Sequence, residues 1–478
     1  MKLFPKIGLE IHVELSTKTK LFCDCPNNPE ETHPNVNICE ICTGQPGVLP
    51  VVNKQAVIYI LSLAEAFKMK INNPSIFARK HYFYPDLPKN YQISQYEKPV
   101  AVDGYFEIYR ENLEKKIRIR RIHLEEDAGR LIHLGDVSLV DFNRAGVPLI
   151  EIVTEPDFSS GEEATLFAEE LIILLRSLGI SQANPEKGEI RFEANVSLSE
   201  KEDQLGTKVE VKNLNSLRSL SEAIRFEIER QKQIIFSGEK VLQETRGWDE
   251  NKKRTFPQRT KEEAEDYRYF PEPDLPPLFI DEEIKKLIVR IEDIAQRKKR
   301  MIQEYQLSFK EVQAIIREKI LADFFEEAIS EFRNLHGKNE TLLKNYFLND
   351  ILGLLNEEKK SLKDLDFSPK ELAVLIYALE NKEISSKIAK DILIDIVKKN
   401  TPLKILLSQK RKITDESYIR RLILEVLEEN KKAVTDYLQG KESAFEFLIG
   451  ALMRKSQGQI DPDITRNILK EELSKLKS

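Results

Sequence analysis

Proline lacks an amide hydrogen, and glycine loses the most backbone freedom on folding, so stretches free of both are where long helices form. In this chain the two residues are unevenly spread. Beyond residue 281 lie 5 of the 18 glycines and 3 of the 21 prolines. The change falls at FPEPDLPPLFID, residues 270 to 281, which holds Pro271, Pro273, Pro276 and Pro277. Before it, strand-like alternation recurs. After it, the chain reads as helix after helix. EEIKKLIVRIEDIAQRKKRMIQEY is one such stretch, and SPKELAVLIYALE is another, with Ser368 as cap and Pro369 in the first turn. The fold class expected is an α+β front domain, mainly antiparallel sheet with helices, followed by all-α helical and tail domains. The boundaries expected are 1–285, 286–408 and 409–478, the last near the basic polar run LLSQKRKITDES. Within the front domain, Ser160 and Glu163 form a capping-box pattern before ATLFAEELIILLRSLG, and Gly179 marks the stop of that helix.

All 4 cysteines fall in LFCDCPNNPEETHPNVNICEICTG, as Cys23, Cys25, Cys39 and Cys42. Two close pairs separated by a loop suit a tetrahedral four-thiolate zinc site. Disulfides are the alternative. They are disfavoured in a cytosolic chain but persist inside hyperthermophiles, and the Lys/Glu/Ile-rich composition has a thermophilic cast. A thioredoxin-like pair lacks its βαβ context. His33, inside the loop, has no necessary role beside a complete thiolate set. Such a closed site is structural, so the chemistry is expected elsewhere. The expected location is cytoplasmic: there is no run of eighteen apolar residues, and MKLFPKIGLEIHVEL carries charges where a signal peptide needs an apolar stretch. The net charge of −6 does not suggest a general nucleic-acid coat, although local basic patches can still bind RNA.

Several strand patterns share one design, because side chains alternate along a strand. In IGLEIHVEL, Ile7, Leu9, Ile11 and Val13 oppose Glu10, His12 and Glu14. In RIHLEEDAG, Ile122 and Leu124 oppose His123 and Glu125. Ile150 and Ile152 oppose Glu151. Phe192, Ala194 and Val196 oppose Arg191, Glu193 and Asn195. Val209 and Val211 oppose Glu210 and Lys212. If these strands share a sheet, one face is core. The other displays Glu10, His12, Glu125, Glu151, Glu193 and Glu210 beside Arg191 and Lys212. Two readings stay open here. One is an ordinary solvated face. The other is a cation site, since crowded carboxylates repel one another, and carboxylates with an imidazole suit Mg²⁺ bound together with phosphates. No GxxxxGK[ST] or GxGxxG occurs, so a nucleotide site would be neither a P-loop nor a Rossmann crevice. Between the strands lies HYFYPDLPKNYQISQYEKP, with Lys80 just before it. Its aromatics and prolines read as a shaped binding loop in which tyrosines can stack on a base and Lys89 can meet a phosphate.

Seven long segments, in order, carry a resemblance across residues 7 to 277: IGLEIHVEL, CTGQPGVLPVVN, YPDLPKNYQISQYEKP, HLEEDAGRLIH, DFNRAGVPLIEIVTEPD, KVEVKNLNSLRS and DYRYFPEPDLPP. They resemble the B subunit of the aspartyl/glutamyl-tRNA amidotransferase, and FLIGALMRKSQGQIDP resembles that family's tail more weakly. The resemblance implies a glutamine-synthetase-like front domain and a carbon–nitrogen ligase activity. ATP and Mg²⁺ would phosphorylate the side-chain carboxylate of Glu-tRNA(Gln) or Asp-tRNA(Asn). An amidase-like A subunit would release ammonia from glutamine, and a small C subunit would clasp the other two. Gln-tRNA(Gln) or Asn-tRNA(Asn) would result. Carried over residue by residue, Glu10, His12, Glu125 and Glu151 stand in the family's Mg²⁺ and phosphate site, with Glu210 added. Lys89, Tyr91, Gln92 and Ser94 match the substrate loop, and with Lys212 are expected at ATP or the tRNA 3′ end. The cysteines match the family's zinc positions. The chain departs from the family at FEANVS, where Phe192 and Glu193 stand in place of a frequent Cys-Asp, so Glu193 is not carried over.

Residues 411 to 478 carry 13 Lys/Arg against 12 Asp/Glu, a net of +1. Arg454, Lys455 and Gln457 precede Gly458 between two predicted helices. Dipole compensation at a helix end accounts for the cations, and so does phosphate contact with a folded RNA, which the family's tail favours. A zinc-stabilised tRNA-binding scaffold without chemistry of its own is the rival reading. Against it, an RNA scaffold would display Lys and Arg, not carboxylates, on its open face.

Overall fold

The computed structural model describes residues 2–111, 113–260, 267–410, 415–456 and 460–476. The chain divides into two compact units, Met1–Val312 and Gln313–Ser478.

The first unit begins with β1 (Phe4–Glu14), α1 (Lys54–Ala66), β2 (Lys70–Ile71), β3 (Ala78–His81), β4 (Tyr91–Ser94), β5 (Ala101–Arg110) and β6 (Leu113–Glu126). It continues through β7 (Arg130–Leu134), β8 (Val137–Asp141), β9 (Pro148–Thr154), α2 (Gly161–Ser177), β10 (Ile190–Ser199) and β11 (Val209–Leu214). Then come α3 (Leu217–Phe236), β12 (Glu244–Asp249), β13 (Arg254–Thr260), β14 (Phe270–Pro271), α4 (Glu282–Lys286) and α5 (Ile294–Tyr305). A nine-stranded sheet runs β13-β12-β11-β10-β1-β9-β6-β5-β2. Its pairs are antiparallel except β11 with β12. The five strands with matching alternation are thus consecutive, β11 to β6, and their apolar residues form a continuous core. Ile7, Leu9, Ile11, Val13, Ile150, Ile152, Phe192, Ala194 and Val196 are each no more than 1% exposed. Each large aliphatic or aromatic side chain buried this way contributes about 1.5–3 kcal/mol. An edge-to-face series of Phe67, Phe106, Phe167 and Phe158 ties the end of α1, β5 and α2 together.

Helix α2 starts where expected, with Ser160 Oγ accepting from the Glu163 amide at 3.2 Å. The reciprocal bond goes elsewhere: the Glu163 carboxylate accepts from the Ser159 amide and from Lys115 Nζ, both at 2.8 Å. Gly161 lets this helix approach α3 closely, since a Cβ there would lie 2.6 Å from the Ser221 carbonyl oxygen. The stretch expected as one helix from 282 is two. Asp293 accepts from the Ala295 and Gln296 amides and starts α5 afresh. Lys298 of α5 is buried against Glu170 of α2, so the first unit continues past residue 285.

A three-stranded sheet, β14-β3-β4, lies against β6. The Ile93 amide donates to Glu126 Oε1 at 2.8 Å, and Gln92 Nε2 donates to the Glu126 carbonyl at 2.6 Å. A β7–β8 hairpin completes the unit.

Helix α6 (Phe309–Ile316) spans the boundary between the units. The second unit is helical in its described residues. It holds α7 (Lys319–Asn334), α8 (Glu340–Asn345), a π-helical turn at Tyr346–Ile351, α9 (Leu352–Glu358), α10 (Pro369–Glu380), α11 (Ser386–Lys399) and α12 (Leu403–Lys410). These are followed by α13 (Glu416–Glu429), α14 (Lys431–Leu438), α15 (Glu442–Lys455) and α16 (Pro462–Lys475). Ser368 caps α10 with Pro369 in the first turn, as the sequence predicts, and Glu371 completes a capping box. The last four helices close their own core around Ile419, Ile423, Leu448, Leu452, Ile460 and Leu469.

Candidate functional site

The polar face of the five strands floors a cleft of about 720 Å³, walled on one side by the small sheet and by Tyr267 and Tyr269. Register sets the floor. His12, Glu151 and His123 lie side by side across β1, β9 and β6. Glu10 pairs with Glu193 across β1 and β10, and Asn195 pairs with Glu210 across β10 and β11.

Two groups of possible cation ligands result: His12 with Glu125 and Glu151, and Glu10 with Glu193 and Glu210. In the first group, His12 Nε2 lies 3.2 Å from Glu125 and 3.6 Å from Glu151. His123 Nε2 lies 3.3 Å from Glu151 and 3.7 Å from Glu125. Burial works against charge on both imidazoles, but the two carboxylates override it and push His12 up to about 10. Burial likewise opposes charge on Glu125, while hydrogen bonds from the two histidines hold its pKa well below the usual range. Ser94 Oγ donates to the other oxygen of Glu125 at 3.2 Å.

In the second group, burial, and then the negative charges of Glu151 and Glu193, raise the Glu10 pKa against the hydrogen bond that Asn195 Nδ2 donates at 2.9 Å. Lys212 Nζ bridges Glu193 at 3.0 Å and Glu210 at 3.6 Å. Crowded carboxylates held by neighbouring cationic side chains form an oxygen-rich donor set, which suits a hard divalent ion.

The structure thus gathers Glu10, His12, Glu125, Glu151, Glu210, Gln92 and Lys212 on one cleft, with Ser94 bonded to Glu125. It does not bring Lys89 and Tyr91 there. Alternation along β4 sends Gln92 and Ser94 toward the cleft and Tyr91 the other way. Lys89 and Tyr91 line a separate groove of about 230 Å³ beside the cysteine lobe. There Lys89 pairs with Glu126, and Tyr91 lies under the Arg79 guanidinium at 4.2 Å. Sequence reasoning left out His123, although its alternation with Glu125 was visible, and did not carry over Glu193, which register sets beside Glu10. The cations Lys80 and Arg121 of the cleft were also not assigned.

The four cysteines are free thiols, and their Sγ atoms all lie within 4.8 Å of one another. The Cys39 and Cys42 sulfurs are 3.9 Å apart. A tetrahedron of Zn–S bonds near 2.3 Å has an edge of about 3.8 Å, so the donor set fits that ion. A hydrogen bond from the Cys23 thiol, the Cys39 amide and the fully buried Lys20 push the Cys42 thiol below its usual range. His33 is 83% exposed, its Nδ1 lies 3.1 Å from Glu31, and it is not part of the thiolate group. Asn143 fastens this lobe to the sheet by accepting from the Val36 and Asn37 amides and donating to the His33 carbonyl.

In the last helices, Lys455 pairs with Glu429 at 2.6 Å and Glu425 at 3.1 Å, while Arg454 lies over the Phe447 ring. Gln457 lies outside the described residues. Among the described residues no helix is long and apolar enough to cross a membrane.

Fold and cleft together give a sheet whose open face gathers carboxylates and imidazoles in a donor set that could hold a cation. Comparison with known proteins makes this specific. Residues 5–286 match the GatB/GatE catalytic domain family, and residues 323–473 match the GatB domain family. The B subunit of the aspartyl/glutamyl-tRNA(Asn/Gln) amidotransferase of Persephonella marina is 42% identical over 480 residues, covering 99% of this chain and 100% of that one. Its Thermotoga maritima counterpart is 43% identical over 486 residues, 99% of each chain. The Carboxydothermus hydrogenoformans counterpart is 42% identical over 482 residues, 98% of each. The chain belongs to the family of amidotransferase B subunits, a ligase family of protein biosynthesis that uses ATP. As a member of that family, it is one component of a multi-subunit enzyme.

Proposed function

We propose that this chain activates the side-chain carboxylate of Glu-tRNA(Gln) or Asp-tRNA(Asn) with ATP and completes the amide with ammonia. The observation that carries this reading is the pair of carboxylate groups on one cleft floor, His12/Glu125/Glu151 and Glu10/Glu193/Glu210. Bound there, Mg²⁺ would offset the charge of the ATP phosphates. In the first step a substrate carboxylate oxygen bonds to the γ-phosphorus, and the bond to the β,γ-bridging oxygen breaks with its electron pair leaving on ADP. In the second, ammonia bonds to the acyl carbon, the carbon–oxygen bond to phosphate breaks, and phosphate takes a proton from the new ammonium. The chain positions the reactants, and the tyrosine-walled cleft limits water, which would otherwise hydrolyse the acyl phosphate.

An amidase-like A subunit supplies the ammonia and a small C subunit clasps the pair, in the cytoplasm. The acidic character of the floor favours this reading over an RNA scaffold. The front domain is glutamine-synthetase-like, which its largely antiparallel sheet with one carboxylate-lined face supports. The four thiolates hold a structural zinc. The tail, residues 409–478, meets the tRNA through Arg454, Lys455 and Gln457. Lys455 would exchange its exposed ion pairs, which contribute little in water, for phosphate contacts.

Glu125→Gln and Glu151→Gln, each in the assembled complex, test the cleft assignment. Both are expected to lower ADP formation by at least about 100-fold while charged tRNA still binds. Turnover near the parent rate in both variants would remove the floor from the reaction.

A further inference from the structure

Among the described residues five lysine and arginine side chains line the cleft, and they are not equivalent. Arg191 is tied to Asp127 at 3.0 Å, and Lys212 to Glu193. Lys208 stands at the exposed rim. Lys80 and Arg121 remain, on the β6 side of the floor, next to the His12/Glu125/Glu151 group.

Lys80 projects from β3 directly across from Gln92, on the strand face that meets the cleft. Its Nζ lies 4.8 Å from the Tyr267 ring centroid and 5.9 Å from that of Tyr82. Among the described residues no carboxylate reaches ion-pair distance of it. Burial opposes its charge, yet the fields of Glu125 and Glu151 keep it protonated. With no carboxylate partner among the described residues, the Lys80 ammonium has donors to offer an anion in the cleft.

Arg121 lies on β6 two residues before His123, on the same face. Its Nη2 is 3.9 Å from Glu151 Oε1, at the limit of pairing, and its guanidinium lies over Tyr96 at 5.9 Å. Its Nε is buried and has no hydrogen-bond partner among the described residues. A guanidinium with an unmet buried N–H is suited to two oxygens of one phosphoryl group, which it takes side by side.

We propose that Lys80 and Arg121 form the phosphoryl subsite, which binds the γ-phosphoryl group of ATP during its transfer to the substrate carboxylate. This rests on the carboxylate-activation reading above and adds the residues that touch the transferring group. Both side chains donate N–H bonds to its non-bridging oxygens and give up no proton. The substrate oxygen supplies the new bond, and ADP keeps the electron pair of the old one. The charge that spreads over those oxygens in transfer needs cationic donors, and Arg191 and Lys212 are already held by carboxylates at 3.0 Å.

The test uses the chain assembled with its partner subunits and compares Mg·ADP binding with and without aluminium fluoride, a mimic of the phosphoryl group in transfer. The parent complex is expected to bind Mg·ADP more tightly with fluoride. Lys80→Met and Arg121→Gln should each lose about tenfold or more of that gain while keeping Mg·ADP affinity within about threefold. Lys80→Arg should restore part of it. ADP formation should fall in kcat with little change in KM for ATP, a split that a merely structural lysine would not give. Should Lys80→Met or Arg121→Gln fail to assemble, Lys80→Gln and Arg121→Lys carry the same comparison. A fluoride gain that survives in both variants overturns the subsite. So does a loss confined to charged-tRNA binding, which would assign these cations to RNA phosphates. A parent complex with neither fluoride gain nor ATP turnover overturns the activation reading and the subsite with it. Parent turnover with unimpaired variants overturns the subsite alone.

Discussion

Glu170 of α2 and Lys298 of α5 meet in the core of the first unit, Nζ 2.6 Å from Oε1, with side chains 1% and 2% exposed. Burial raises the Glu170 pKa even though Lys298 draws it down. A carboxyl whose folded pKa exceeds its unfolded value holds its proton more tightly in the native state. Stability therefore falls as pH rises from about 4.5 through the folded value. Glu170→Gln removes that fall, so the urea midpoint of the variant, relative to the parent, should improve as pH rises through this window. A pH-independent difference would show that the carboxyl titrates normally. Lys298→Met alone strands the acid and should cost about 3–5 kcal/mol, read from the same midpoints. None of this was legible in the sequence. Lys298 sits in QRKKR, which reads as a solvated helix face, and its partner is 128 residues away. The same limit applied in the binding loop. Lys89 and Lys80 are alike in sequence, and only the pairing of β3 with β4 shows that Lys80 meets the cleft and Lys89 does not.

At the scale of elements, most of β1 was legible, from Ile7 on, because a strand with one buried face repeats apolar and polar residues every second position, while its first residues Phe4–Lys6 were not. The same signal placed Glu10, His12, Glu125, Glu151, Glu193, Glu210 and Lys212 on one face before any pairing was known. Strand β4 was not legible, being four residues long within a proline-rich loop. The break between α4 and α5 was missed because its apolar residues continue a helical rhythm while Asp293 caps anew. The cysteine lobe was legible as a spacing, and its attachment through Asn143 was not. The zinc proposed above would tie the fold of the lobe to its four thiolates. Removing metal with a chelator is expected to release about one zinc per chain and lower the melting temperature. Cys25→Ser should do the same without chelator. A chain purified without zinc, whose melting point ignores chelator, would assign the thiols another role.

For the whole molecule, the distribution of glycine and proline announced a sheet-rich front and a helical back. The compact boundary at Val312 did not follow from it, because α5 is helical in pattern yet belongs to the front by its packing. Nor could alternation give the order of strands. Asn195 bonds Glu10 across 185 residues, a pairing fixed by the sheet as a whole. That order matters most, since it turns scattered glutamates into two groups on one floor. Carboxylate activation is tested most directly by ADP release from ATP and Mg²⁺ by this chain assembled with the amidase-like and small subunits proposed as its partners. Ammonium is supplied, and Glu-tRNA(Gln) and Asp-tRNA(Asn) are compared with the same tRNAs uncharged. The account predicts ADP only with a charged tRNA. Equal release with uncharged tRNA, or none with either charged form, would contradict it and leave the carboxylate floor without a part in activation.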